Sequence, residues 1–197
     1  MGLFDSILGR TKPVEAKLDN LFALTNAAIT LDITAGLAST GRAGVCFKPP
    51  ADREEADATA EINGLLGLDD PAGSAAAITT VDDQYGYRWF VVNEAEISTL
   101  VATIHLINST LQDHGWGPQL LCSAFGFTPT PKADATAKAV TLVYLFKRGT
   151  YYPFCPTGPE ARDNAYELSV AALVGADLPK EQDLTRWMAL WGNPISS

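Results

Sequence analysis

Residues 139–154 read AVTLVYLFKRGTYYPF. Ala139–Phe146 is the most strand-like run of the chain, dense in the β-branched and aromatic residues that suit a pleated, half-buried surface. Lys147-Arg148-Gly149-Thr150 ends it with two cations and a glycine turn, and Tyr151–Phe154 extends or bulges it. Working back, Thr128–Ala137 is a loop rich in Pro, Thr, Ala and Asp, and Gln119–Phe127 is another strand. A long helix precedes it over Glu94–Asp113: Ile97, Leu100, Val101, Ile104, Ile107 and Leu111 keep helical spacing, and Gly115 is placed to stop it.

Nearer the N-terminus, Ala77–Val81 and Tyr87–Val92 read as strands around the polar turn Asp82–Gly86. The alternation of Ala28–Ile33 and the run Gly44–Lys48 predict a first hairpin, turned by Gly36–Gly41. A helix is predicted over Val14–Leu24, with Leu18, Leu21 and Phe22 inward, and another over Arg53–Leu66, with Ala56, Ala60, Ile62 and Leu65 available for burial. Asp69–Gly73 is a loop. Beyond residue 154, Pro159 suits a helix first turn, which predicts a helix to Val174 ended by Gly175. A last helix from Pro179 would put Leu184, Trp187, Met188 and Trp191 on one face before Gly192 and Pro194 stop it.

The order is two helices, three strand–strand–helix units spaced by roughly 45 residues, and a closing helix. Hairpins followed by helices favour an α+β fold: an antiparallel sheet with helices packed on one face. Of the 197 residues, 47% are hydrophobic, enough for a sizeable core. Residues 13–197 read as a single domain and 1–12 as a separate amphipathic segment.

A net charge of −9 argues against a nucleic-acid partner, which needs a basic face. Cys46, Cys122 and Cys155 lie far apart in apolar runs without a CxxC pair, and read as buried thiols in a reducing compartment. Without a secretory signal or a long apolar run, the chain reads as cytoplasmic. Gly36–Ala43 has the glycine spacing of a phosphate loop but lacks its Lys and its Ser/Thr, so a turn is the better reading. His105 and His114 lack ligand-spaced partners, so neither a metal nor another cofactor is expected. His105 reads as a boundary residue of its helix, or as paired with Asn108 in a polar cluster facing the sheet. An enzyme would need His105 beside Cys122, or the Asp163/Glu167 pair, in one pocket.

Two surfaces carry recognition chemistry. Lys147 and Arg148, with Tyr144, Tyr151 and Tyr152 around them, could bind a phosphate, a lipid head group or an acidic peptide. Arg162, Asp163 and Asn164 adjoin the strand end, where Arg162 or Asn164 could form a structural clasp instead. The second surface is the N-terminal segment, where Leu3, Phe4, Ile7 and Leu8 form one apolar face followed by Arg10 and Lys12, a pattern suited to an anionic membrane surface. Tyr85, Tyr87 and Trp89 share a strand face and read as core or interface.

Seven stretches carry a family resemblance: MGLFDSILGR (1–10), VCF (45–47), YGYRWFVV (85–92), HLINSTLQDHGWGPQLLCS (105–123), LVYLFKRGTYYPF (142–154), RDNAYEL (162–168) and LTRWMALWGNP (184–194). Together they resemble the PspAB type of protein, encoded beside phage-shock protein A in actinobacteria and some archaea. The resemblance implies a non-enzymatic accessory of phage-shock protein A, a membrane-remodelling protein of envelope stress. It implies a phage-shock protein A-like partner and a peripheral place at the inner face of the plasma membrane. It supplies no catalytic residues. Lys147, Arg148, Tyr151, Arg162, Asp163, Asn164 and His105 are the recognition candidates on chemistry alone.

Overall fold

The computed structural model describes residues 17–48, 60–61, 63–65 and 77–196. In chain order, a 3-10 turn (Leu18–Phe22) runs into α1 (Ala23–Ala35), followed by β1 (Leu37–Phe47), β2 (Ala77–Asp82), β3 (Arg88–Asn93) and α2 (Ile97–Asp113). Then come β4 (Leu120–Pro129), β5 (Val140–Leu145), β6 (Thr150–Phe154), the short β7 (Pro156–Gly158) and β8 (Ala161–Arg162), and α3 (Asn164–Leu173). The first six strands form one sheet in the order β2-β3-β1-β4-β5-β6, with every neighbouring pair antiparallel. The α+β class is therefore the observed one.

Strand alternation gives this sheet two apolar faces. On the first, Val45, Phe47, Phe90, Val92, Phe125, Phe127, Leu142 and Tyr144 meet Leu24, Ala27 and Leu31 of α1 and Leu100, Val101, Ile104, Ile107 and Leu111 of α2. On the second, Cys46, Trp89, Val91, Cys122, Ala124, Val143, Tyr152 and Phe154 meet Trp187 and Ile195, with Leu190 and Trp191 against them. So the sheet is covered on both faces, where helices on one face were expected. The second cover is an irregular C-terminal segment. Gly44 makes room for it: a Cβ there would stand 3.0 Å from Ile195 Cδ1 and 3.3 Å from the Trp89 ring.

Ala28–Ile33 is helical, not a strand. Its alternation also fits helical spacing, and burial of Leu24, Ala27 and Leu31 decides for α1 over the β preference of Ile29, Thr30 and Ile33. Gly36 is therefore the helix cap, at φ 63°, with its amide on Asp32 O at 3.1 Å. What read as a turn, Gly36–Gly41, is this cap and the first part of one long strand. Val14–Leu24 likewise becomes the 3-10 turn and the start of α1 among its described residues, with Leu18 and Leu21 buried and Phe22 exposed.

Helix α3 begins five residues later than Pro159 suggested, because 156–162 folds into the β7–β8 hairpin and Asp163 caps the helix by accepting from Tyr166 N. The predicted last helix is reduced to one 3-10 turn, Leu184–Arg186. Tertiary donors take the carbonyls a helix would use: Arg162 Nη1 donates to Trp187 O (2.7 Å) and Tyr152 Oη to Met188 O (2.9 Å). Residues 1–12 and most of Arg53–Leu66 lie outside the described residues. At 63–65 the chain is helical, and Leu65 packs on the first core.

Candidate functional site

The strand end, Lys147 and Arg148, sits in the β5–β6 turn. Arg148 is already committed. Its guanidinium pairs with Glu181, a carboxylate 1% exposed, which also accepts from Thr150 Oγ1 at 2.8 Å and from Asp183 N at 3.0 Å. Burial alone would push the Glu181 carboxyl up, but the bonds from Arg148, the Asp183 amide and Thr150 together hold it below its ordinary value. Lys147 Nζ donates to Pro118 O at 2.8 Å. Tyr151 is not on the surface. It is 2% exposed, its hydroxyl donates to Leu21 O at 3.1 Å, and burial pushes its pKa well up. The grouping of Tyr151 with Lys147 and Arg148 as one recognition surface is thus corrected: β6 alternation turns Tyr151 into the first core.

A second clasp lies at α3. Arg162 places Nε 2.8 Å from Glu167 Oε1 and Nη2 2.8 Å from Glu167 Oε2, and stacks its guanidinium 5.0 Å from the Phe154 ring centre. Glu167, 1% exposed, also accepts from Cys155 N at 2.7 Å. Asp163 caps α3 and pairs with Lys138 Nζ at 2.5 Å; these two bonds hold its carboxyl below its usual value. Asn164 is exposed at the first turn. Asp163 and Glu167 therefore serve different bonds and form no acid–base pair.

His105 is not in the sheet-facing cluster. Asn108 is: its Nδ2 donates to Ile104 O (2.8 Å) and Ser123 Oγ (2.9 Å). His105 projects from the side of α2 onto Phe22, with ring centres 4.9 Å apart, and its Nε2 is 3.9 Å from Asp19 Oδ1. Cys122 lies on the opposite face of the sheet, directly across from Cys46 in the β1–β4 register. His105 and Cys122 are therefore not brought together. All three cysteines are free and buried. The hydrogen bond to Cys122, then burial, pushes the Cys46 thiol well above its ordinary value, and burial takes Cys155 up to about 11. Among the described residues, no group of three or more His, Cys, Asp or Glu is placed to hold a metal ion, and no helix is long and apolar enough to cross a membrane.

What the sequence reading missed is an exposed apolar stripe. Phe22 (45% exposed), Ile29 (58%) and Ile33 (80%) run along the outer side of α1, opposite Leu24, Ala27 and Leu31, and Leu106 (62%) stands on the outer side of α2. His105 joins the two helices beside Phe22. The stripe was hidden because Ile29 and Ile33 were counted as strand residues. Ile29 lies seven residues after Phe22 and Ile33 four after Ile29, and this spacing is the signal that finds it.

No curated protein matches this chain, and no solved structure matches it. A family profile, PspA associated protein B, matches residues 1–195, which takes in both clasps, the α1 stripe and the N-terminal segment. On that match the chain belongs to the PspAB family.

Proposed function

We propose that this chain is a non-catalytic accessory protein of a PspA-linked membrane-stress response, and that it docks on a PspA-like partner through the outer side of α1. The observation that carries the reading is the stripe Phe22–Ile29–Ile33, left in water on a helix whose other side is fully packed. Single exposed apolar residues are ordinary; three aligned on one side of a helix mark an interaction face. Covering Ile29 and Ile33 would contribute about 1.5–3 kcal/mol each, enough to set affinity. His105 borders this face. Membership of the PspAB family supports the choice of partner.

The test is equilibrium binding of the full chain to a PspA-like protein, with Ile29→Asp and Ile33→Asp as interface variants. Both side chains are exposed, so the fold should survive. Binding weakened by about tenfold or more in each variant supports the docking face. Unchanged binding, or none by the wild type, removes it. The apolar residues Leu3, Phe4, Ile7 and Leu8 add a peripheral contact with an anionic membrane. Liposome flotation with and without residues 1–12 checks that part separately. Anion binding at Lys147 and Arg148 is the less favoured reading, since Glu181 already neutralises Arg148.

A further inference from the structure

Between the second face of the sheet and the C-terminal segment lies a cavity of about 310 Å³. Its walls include Tyr85, Tyr87, Trp89, Leu145, Leu190 and Trp191, and the Cys46 and Cys122 thiols line it. It is on the opposite side of the sheet from α1 and α2, so it is no part of the partner face proposed above.

We propose that this cavity binds a neutral, compact apolar molecule, of aromatic-ring or short-chain size. Three observations define that chemistry. First, the volume stands at the lower end of the ~300–1,000 Å³ typical of ligand pockets, too small for a whole two-chain lipid. Second, the polar side chains of Asp83, Trp89, Tyr152 and Asn193 in the lining are already bonded within the protein. Asp83 Oδ1 accepts from Tyr85 N (2.8 Å) and Tyr87 N (3.0 Å), and its Oδ2 accepts from Trp89 Nε1 (3.1 Å). Tyr152 Oη donates to Met188 O, and Asn193 bridges Leu190 O, Ile195 N and Ser196. A polar group of a ligand placed beside these four would stay unpaired, at the cost that burial of an unsatisfied group carries. Third, charge is disfavoured in both signs. Asp83 lines the cavity and repels an anion, and a cation would lose its water among aromatic and aliphatic walls whose one carboxylate already accepts from three N–H donors.

The experiment is a fluorescence titration of the full chain with a neutral phenylnaphthylamine probe, whose emission rises in apolar surroundings. The expected result is saturable binding at one equivalent. Ala189→Trp and Leu145→Trp, each of which puts a ring into the cavity, should weaken it by at least about tenfold, while Ile29→Asp on α1 leaves it unchanged. Two filling variants are used so that one folded protein suffices, and the melting temperature identifies it. Indole should displace the probe at least about tenfold better than benzoate or benzylammonium. No saturable binding by the wild type, full affinity in a folded filling variant, or equal displacement by either charged competitor would overturn the proposal.

Discussion

At the scale of single residues, two buried carboxylates organise the chain's C-terminal third. Glu167 and Glu181 are each 1% exposed and each held by an arginine. Removing one partner of a buried pair leaves an uncompensated charge, so the pair nearer full burial should matter more. Arg162 is 16% exposed and Arg148 43%. Arg162→Ala is expected to cost about 3 kcal/mol and Arg148→Ala about 1 kcal/mol, since solvent screens the latter. Urea unfolding of both variants checks the order, and a larger loss for Arg148→Ala would contradict it. A different carboxylate carries the acid sensitivity of α2. Glu96 caps that helix; the Ser98 hydroxyl, then the Ser98 amide and the Thr99 amide and hydroxyl, lower its pKa from 4.5 to about 2. The folded chain thus keeps this charge at a pH where the unfolded chain has taken a proton. The stabilisation is complete above 4.5 and is lost as pH falls towards about 2. Glu96→Gln should flatten the decline of melting temperature across that window; an unaltered slope would show that other groups carry it.

At the scale of elements, strong periodicity was legible and competition was not. The long helix, both strands around Asp82–Gly86 and the strands 119–127 and 139–146 were readable because one period dominated each of them. Ala28–Ile33 fits two periods at once, and only the sheet beneath it chooses. The C-terminal run fits a helix locally, but Arg162 and Tyr152, distant in sequence, take its carbonyls. The candidate site followed the same rule. The α3 clasp was visible as a charged run near a strand end, while the α1 stripe vanished with the misread helix. Gly36 tests the corrected boundary. Its φ is 63°, and a Cβ there would stand 2.6 Å from the Ala133 Cα. Gly36→Ala should cost about 2 kcal/mol or more, from the left-handed backbone and the backbone clash together. Had this glycine stood in a free turn, as first read, the substitution would cost less than about 1 kcal/mol, and thermal unfolding separates the two.

At the scale of the whole molecule, the second core depends on a segment without regular structure. Trp187 stacks on Tyr152 with centres 6.0 Å apart, Trp191 meets Phe154 at 5.2 Å, and Ile195 packs on Gly44. Each large apolar side chain is worth about 1.5–3 kcal/mol on burial, against a net stability for a domain of about 5–15 kcal/mol. Deleting residues 187–196 should therefore abolish cooperative unfolding while much of the helical signal from α1 and α2 persists. Near- and far-ultraviolet circular dichroism distinguish this from a shortened chain that melts as sharply as the original. The same arrangement bears on synthesis. All six strands of the sheet leave the ribosome before residues 187–196 do, so the nascent chain shows a sheet with one face uncovered and Trp89, Tyr152 and Phe154 open to water. Chaperones that hold apolar surfaces are expected to engage the nascent chain until Trp187 and Ile195 emerge, and slowing translation over residues 187–196 would lengthen that exposure.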